Sequence, residues 1–291
     1  MSKRKKRKNT IKKEIYTVLS GFFKAGKGRS RKEDKKKGLD KDKIYSEKTY
    51  HNYLEISKGY ADWIREKHPE CRHLKQTKAY INDWIQDMID RKLAPGTIAV
   101  RKTALMKLFQ VDSGEYLSPP PRYRSLNKRS RYEVEYDKHI SKEKEAYWAR
   151  INEALGLRRS ELKRITGKDL QQDENTGKYY LEVTRGTKSG KPREAEILDE
   201  TGEIIKLLQM AGDRPAFANI PKPFDCHHYR GNYAKKLYNK YARPLNEIPK
   251  KDRYYMRREY KGVILDKKAM QIVSNALGHD RLSVIAQSYL Y

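Results

Sequence analysis

A run of three prolines is the feature that most constrains how this chain can fold. Pro119, Pro120 and Pro121 follow Ser118. Because proline lacks a backbone N–H and fixes φ, the run excludes a helix and favours an extended path. The basic residues that follow it are Arg122, Arg124, Lys128, Arg129 and Arg131. We therefore predict a stiff, basic linker at residues 112–135 that joins two lobes.

The charge of the chain indicates what it binds. Among 291 residues, 66 are Lys or Arg and 38 are Asp or Glu, which gives a formal net charge of +28. A chain this basic most often binds a polyanion, and nucleic acid is the commonest one. A basic linker between two lobes would suit a protein that closes around a duplex and contacts its phosphates.

The sequence argues against several other classes of protein. Cys71 and Cys226 are the two cysteines, and they form no CxxC spacing. We therefore expect neither a disulfide framework nor a zinc finger. We expect the protein to reside in a reducing cytoplasm. No apolar run approaches the roughly 18 residues of a membrane-spanning helix. The basic residues at 3–8 have no apolar segment behind them, so we do not expect a secretory signal.

Residues 1–43 are the most basic part of the chain. They carry 18 Lys or Arg against 5 Asp or Glu, a net charge of +13, around one short apolar island at residues 15–23. Two interpretations remain open. The segment is either a disordered tail solvated by its own charge or an arm that contacts DNA and becomes ordered on binding.

Residues 44–111 show helical spacing of apolar and aromatic residues. One stripe runs from Tyr50 to Trp63, a second from Tyr80 to Ile89, and a third helix opens at Pro95. This pattern predicts three or four short helices in a compact bundle, with the aromatic rings in the core rather than stacked on bases. The cations expected on the exposed side of the third helix are Arg101, Lys102 and Lys107.

Residues 136–291 predict a second domain that is mainly α with one small antiparallel β-sheet. Alternating residues and a Gly-rich turn at 186–190 indicate two strands, Lys178 to Thr184 and Arg193 to Leu198. The predicted helices lie at 142–155, from about 158, and at about 201–211, 227–243 and 266–277.

The end of the chain places an imidazole and a phenol close together in sequence. A helix from Lys267 to Leu277 ends at Gly278, a residue suited to a left-handed cap. His279 follows, and an amphipathic segment then leads to Tyr289 and Tyr291. Phenol is a poor nucleophile at neutral pH unless cations stabilise the phenolate. Such cations must come from upstream.

One source of cations is the segment that follows Gly156. Arg158 and Glu161 are three residues apart at the start of a predicted helix, so they share a face. A helix N-terminus with an arginine suits an anionic ligand, and the carboxylate could orient the groups around it. An ordinary ion pair on a helix surface would look the same in sequence.

Two further elements supply basic side chains. Lys188 and Lys191 lie on the predicted hairpin tip, where a lysine can reach a phosphate. His227 and Arg230 are three residues apart on a predicted helix and could face one phosphate. A capped helix with a stacked histidine is the plainer interpretation. A metal site is not expected, because consecutive Cys226, His227 and His228 point in different directions on a helix.

Taken in order, these motifs resemble those of the tyrosine recombinase, or phage-type integrase, family. The match covers residues 44–291 and consists of Arg-x-x-Glu after Gly-Leu, a lysine-bearing hairpin, His-x-x-Arg, Leu-Gly-His and then Tyr. The resemblance implies a helical core-type DNA-binding domain at 44–111 and an α+β catalytic domain at 136–291. The implied catalytic residues are Arg158, Glu161, Lys188, His227, Arg230, His279 and Tyr289.

Two positions have alternatives. Lys191 is the alternative to Lys188 as the hairpin lysine. In the family the tyrosine follows the Leu-Gly-His histidine by nine residues, which here falls on Ser288, whereas Tyr289 is ten residues away. The connecting turn must therefore differ by one residue. Tyr291 is the alternative nucleophile.

The resemblance also implies the chemistry and the partners. The family cleaves and rejoins DNA strands through a 3′-phosphotyrosyl intermediate, without a metal or nucleotide cofactor, as a homo-tetramer on paired recombination sites. It implies a DNA-associated protein of the bacterial cytoplasm. The competing interpretations are a type IB topoisomerase-like enzyme that relaxes one duplex and a non-catalytic DNA-binding regulator on the same scaffold.

Overall fold

The structure, a computed structural model, describes residues 10–123, 139–187 and 191–290. The chain forms two compact units, one containing the described residues up to 123 and the other those from 139 onward. Within the described residues the protein is mainly helical with two small antiparallel sheets, which confirms the predicted fold class. No helix in these residues is both long and apolar enough to cross a membrane.

The first unit is made of helices around a single hydrophobic core. Its described α-helices are α1 (Thr10–Gly26), α2 (Arg31–Lys36), α3 (Glu47–Lys67), α4 (Leu74–Thr77), α5 (Ile81–Asp90) and α6 (Pro95–Phe109). The three predicted helices correspond to α3, α5 and α6. Pro95 opens α6 because the missing N–H is not needed in a first helical turn.

Residues 10–43 belong to this unit, which differs from the expected separate arm or disordered tail. Ile11, Ile15 and Leu19 recur every four residues along one face of α1 and lie in the same core as α3. The returning chain is tied to α1 by Ile44, whose backbone N–H donates to the Phe22 carbonyl at 2.9 Å. The apolar island at 15–23 was visible in the sequence, but the basic residues on both sides of it favoured a tail or an arm over a core helix. Residues 1–9 lie outside the described residues.

Lys102 is buried, not exposed as expected. Its Nζ donates to the carbonyls of Tyr116 at 2.9 Å and Leu117 at 3.0 Å. Burial lowers the pKa of this ammonium group. The first residues of the predicted linker are therefore fixed to α6, while 124–135 lie outside the described residues.

The second unit contains a helical layer and both sheets. Its described α-helices are α7 (Lys142–Leu155), α8 (Arg159–Leu162), α9 (Glu203–Ala211), α10 (Cys226–Tyr241), α11 (Lys267–Leu277) and α12 (Leu282–Ile285). Its described strands are β1 (Leu170–Gln172), β2 (Tyr179–Val183), β3 (Arg193–Glu196), β4 (Arg253–Tyr255) and β5 (Ile264–Asp266).

The two predicted strands are β2 and β3, paired antiparallel with Leu181 opposite Ala195. β1 adds to β2 on its other side, and β4 pairs with β5 in a second sheet. Neither β1 nor the β4–β5 sheet was predicted. Each of these three strands has only three residues, too few for an alternating pattern to be recognised.

Gly156 has a conformation and a position that only glycine fits. It ends α7 with φ of +60°, and a Cβ there would lie 2.3 Å from the ring of Tyr233 on α10. The two helices can therefore approach closely at this point. The chain then turns directly into the segment that carries Arg158.

A pair of neighbouring substitutions tests whether α1 is part of the first core. Ile15 is fully buried and Tyr16 is 56% exposed on the same helix. Ile15→Ala should lower the free energy of unfolding of this unit by about 2–5 kcal/mol, because it leaves a cavity. Tyr16→Ala should change it by less than about 1 kcal/mol. The measurement is urea unfolding followed by the fluorescence of Trp63 and Trp84 in a Trp148→Phe background. Equal, small effects would contradict the packing of α1.

Candidate active site

The centre of the candidate site is the carboxylate of Glu161, which is completely buried. Glu161 lies in α8 and reaches back to Arg158, the residue before this helix. One carboxylate oxygen accepts the Arg158 backbone N–H at 2.7 Å, and the other accepts its Nη1 at 2.7 Å. The predicted pair is thus a buried capping interaction, not a surface ion pair.

The neighbouring Arg159 has a different task. Its guanidinium donates to the carbonyls of Pro221 at 2.9 Å and Lys222 at 3.2 Å, and also to that of Phe224. These bonds hold the loop that leads into α10. Of the two consecutive arginines, Arg158 therefore contacts the Glu161 carboxylate, and Arg159 stabilises the loop before α10.

Arg230, on α10, is fully buried beside Glu161. Its Nη1 lies 3.6 Å from a Glu161 carboxylate oxygen and donates to the Gly156 carbonyl. Its Nη2 donates to the Leu277 carbonyl at 2.6 Å, the same oxygen that accepts from Arg158 Nη2 at 3.3 Å. The two predicted arginines thus meet at the end of α11, although 72 residues separate them in sequence.

A third arginine, Arg193 on β3, was not among the predicted site residues. Its Nη1 and Nη2 donate to the two oxygens of Glu161 at 2.8 and 2.9 Å, and its Nε donates to the Ala276 carbonyl at 2.7 Å. The sequence contained a signal for it. Alternating residues of a strand share a face, so Arg193 falls on the side of Ala195 and Ile197, which are buried. A charged residue on a buried face indicates a partner.

The electrostatics of this cluster favour an anion. Burial would raise the pKa of Glu161, but the hydrogen bonds and charge of Arg193, with the charge of Arg230, bring it below its ordinary value. Burial lowers the pKa of Arg230 to about 10, which leaves it protonated at neutral pH. Three guanidinium groups and one carboxylate leave an excess of two positive charges.

One donor in the cluster has no hydrogen-bond partner among the described residues. This is the Nε–H of Arg230, which is buried. A buried donor without an acceptor costs about 1–3 kcal/mol, so native proteins rarely leave one without a functional reason. An oxyanion placed there would satisfy it.

Tyr289 is brought to this cluster by the C-terminal segment. Its ring centroid lies 6.0 Å from Cζ of Arg230, and its hydroxyl lies 3.2 Å from Nε2 of His279. His279 directly follows Gly278, which ends α11 with φ of +63° and packs its Cα against the stem of Arg193. The structure therefore brings together five predicted residues: Arg158, Glu161, Arg230, His279 and Tyr289.

The segment between His279 and Tyr289 contains a π-helical turn. The chain leaves α12 and forms this turn at Ala286–Leu290. A π turn is wider than an α turn because its hydrogen bonds close over five residues instead of four, so it holds one more residue than an α turn would. Tyr289 lies within this turn and is packed inward, with only 6% of it exposed. Tyr291 lies outside the described residues.

The remaining predicted residues are placed differently. His227 is exposed in the first turn of α10, three residues before Arg230, and Asp225 caps this turn by accepting the His227 backbone N–H at 2.9 Å. Lys188 lies outside the described residues. Its alternative, Lys191, is exposed and forms an ion pair with Asp280, next to His279. In the described ranges, no group of three or more His, Cys, Asp or Glu side chains could hold a metal ion.

Comparisons with solved structures give similarities along nearly the whole chain. The chain is similar to the XerH site-specific recombinase bound to its palindromic difH substrate, at 12% identity over 96% of this chain and 91% of the other, with a TM-score of 0.47. It is similar to the Tn1549 transposon integrase in complex with transposon right-end DNA, at 12% identity, 95% coverage of each chain and a TM-score of 0.40. It is also similar to the XerA recombinase, at 14% identity over 95% and 94%, with a TM-score of 0.28. No model of a protein family and no curated protein matches the sequence.

The Glu161 carboxylate should make stability depend on pH in a defined direction. Its pKa is lowered in the folded protein, so its contribution is present above the unfolded pKa of about 4.3 and is lost as the pH falls through the folded pKa. Glu161→Gln removes this contribution and should lower the free energy of unfolding at pH 7 by about 3–5 kcal/mol, since it leaves buried arginines uncompensated. Urea unfolding should give a smaller difference from wild type at pH 3 than at pH 7. A difference that does not change with pH would contradict an ionised Glu161.

Proposed function

We propose that this chain is a site-specific DNA recombinase or integrase that cleaves and rejoins strands through a 3′-phosphotyrosyl intermediate. The observation that carries the proposal is the convergence of Arg158, Arg230, His279 and Tyr289 around the buried carboxylate of Glu161. A structural ion-pair network would not need a phenol and an imidazole at its edge, nor a buried arginine N–H without an acceptor.

The arginines fit a phosphate that gains negative charge. During displacement at phosphorus, charge builds up on the nonbridging oxygens, and forked guanidinium donors stabilise it better than a lysine would. Arg230 offers an unpartnered Nε–H, and Arg158 is the more accessible of the two, with 15% of its side chain exposed. After one positive charge compensates the Glu161 carboxylate, the arginines of the cluster still carry excess positive charge.

Tyr289 is the proposed nucleophile. We propose that His279, whose Nε2 lies 3.2 Å from the Tyr289 hydroxyl, assists the transfer of its proton. The phenol oxygen loses its proton and attacks phosphorus, and the bond from phosphorus to the 5′ oxygen breaks. The departing 5′ oxygen takes up a proton, and we assign Lys188 as the donor of that proton. His227 assists in positioning the phosphate. A 5′ hydroxyl of another strand then attacks the phosphotyrosyl bond and releases Tyr289 as a phenol, so no external energy source is needed.

DNA binding requires the site to open. Arg230 is fully buried and Tyr289 is 6% exposed, so no backbone phosphate can reach both in the described arrangement. The segment that carries Tyr289 must withdraw while the phosphate enters and then return its hydroxyl for in-line attack. The α12 helix has only four residues and is followed by a π turn, so this segment contains little regular helix to disrupt.

The partner we propose is double-stranded DNA with specific recombination sites, bound by a homo-tetramer that pairs two sites. The net charge of +28 supports binding to DNA. Strand exchange between two differently labelled duplexes distinguishes this function from a topoisomerase. Relaxation of supercoiled DNA by a monomer, without exchange between duplexes, would favour the topoisomerase instead.

The nucleophile is tested with nicked duplexes of randomised sequence. A nick next to the cleavage point makes the released fragment, which carries the 5′ hydroxyl, short enough to diffuse away. Religation is then prevented, and the covalent adduct accumulates. Wild-type protein should form a denaturation-resistant adduct whose peptide maps to Tyr289, and the selected DNA gives the substrate for later experiments. Tyr289→Phe should form no adduct, whereas Tyr291→Phe, the matched control, should retain it. An adduct formed by Tyr289→Phe would disprove the assignment.

The role of Lys188 as proton donor is tested by changing the leaving group. Lys188→Ala should slow cleavage of ordinary DNA by about 10²–10⁴-fold with little change in DNA binding. On DNA with sulfur in place of the 5′ bridging oxygen, which leaves without protonation, most of the rate should return. Lys191→Ala is the matched control and should behave like wild type on both substrates. Loss of binding and cleavage by the same factor would make Lys188 a phosphate contact.

A further inference from the structure

The proposed chemistry uses two arginines, yet the Glu161 carboxylate is contacted by three. Of these three arginines, Arg193 is the one that forms a forked pair, with one Nη atom on each carboxylate oxygen. Its side chain is only 4% exposed, and its Nε is bound to the Ala276 carbonyl. Every nitrogen of this guanidinium already donates to a protein oxygen, whereas Arg230 keeps an Nε–H without a partner, so we assign Arg193 no contact with the phosphate. Arg193 must therefore act, if it acts in catalysis, through the groups that it contacts.

Arg193 affects the net charge of the cluster. If Glu161 had only Arg158 and Arg230 as partners, its carboxylate would cancel half of their combined charge. Arg193 adds one buried positive charge and engages both carboxylate oxygens, so the cluster retains an excess of two. Buried charges are screened little by solvent, and each one therefore alters the potential felt by a phosphate.

The second effect is on geometry. A forked pair fixes the plane of the carboxylate as well as its position. One oxygen of Glu161 is thereby aimed at Arg158 Nη1 at 2.7 Å, and the other accepts the Arg158 backbone N–H at 2.7 Å. The bond from Arg193 to Ala276 also places this carboxylate relative to the end of α11, where the next carbonyl, that of Leu277, holds both other arginines.

We propose that Arg193 is a positioning residue for strand cleavage, which holds Glu161 in place and offsets its charge so that Arg158 and Arg230 remain available to the phosphate. This inference rests on the function proposed above. Lysine can replace the charge of Arg193 but not its fork, and glutamine can replace neither. The two substitutions therefore separate the effect on charge from the effect on geometry.

A matched control exists at the other end of α11. Arg243 forms the same kind of forked pair with a buried carboxylate, that of Asp266, at 2.7 Å to each oxygen. Asp266 caps the first turn of α11, and the eleven residues of this helix separate it from the candidate site by about 16 Å. Arg243→Gln thus removes an equivalent pair from the same unit without touching the site.

The experiment measures the rate of adduct formation at saturating DNA, the Kd for DNA and the melting temperature. Arg193→Gln should slow adduct formation roughly 100-fold, in line with the cost of a small misplacement in an active site, while Kd changes less than about threefold. Arg193→Lys should slow it roughly tenfold. Arg243→Gln should lower the melting temperature but leave the rate within about threefold of wild type. If Arg193→Gln is too unstable to assay, the decrease in the rate of adduct formation by Arg193→Lys tests the proposal instead.

A second comparison separates positioning from general support of the fold. If Arg193 acts through Glu161, then adding Arg193→Gln to Glu161→Gln should slow adduct formation by less than about threefold further. A full additional loss, or a wild-type rate for both Arg193 variants, would overturn this assignment alone. Absence of any adduct from the wild-type protein would overturn the proposed function and this assignment together.

Discussion

One buried carboxylate organises the second unit. Glu161 has no exposed surface, and a lone ionised carboxylate in that environment would be costly. It is stabilised by arginines from a helix start, a strand and a long helix: Arg158, Arg193 and Arg230. Arg158 is a local partner, but the strand and the long helix are far from Glu161 in sequence, so Arg193 and Arg230 can add their charge only when these elements are packed together. The requirement for compensation therefore places in contact the groups that the proposed reaction uses.

The state described here is closed around that cluster. Arg230 is fully buried, and Tyr289 packs in the same core as Tyr233 and Leu237 of α10. The proposed nucleophile is thus a core residue in this state, and the proposed function requires DNA to displace it. In the proposed function, this packing covers the groups that would bind a phosphate, including the unpartnered Nε–H of Arg230, beneath a segment with little regular helix. Binding energy from the DNA backbone would offset the cost of opening it.

Much of this fold and site could be predicted from sequence because the signals are local. The helices at Lys142–Leu155 and Lys267–Leu277 are observed with the predicted ends, since Gly156 and Gly278 terminate them. Arg193 was missed because its importance depends on a partner 32 residues away in sequence and on burial that motif spacing does not report. The placement of α1 was missed because the apolar residues that mark it, from Ile11 to Phe23, lie between two strongly basic stretches.

The proposed contact of Arg158 and Arg230 with the reacting phosphate is tested by neutralising the phosphate itself. In the selected DNA, a methylphosphonate at the attacked position removes one negative charge from one phosphate. On ordinary DNA, Arg158→Gln and Arg230→Gln should each slow adduct formation by about 100-fold or more. On the neutral substrate, each substitution should slow adduct formation by less than about tenfold, because the charge that the arginines stabilise is absent. The same loss on both substrates would contradict the convergence of these arginines on the reacting phosphate.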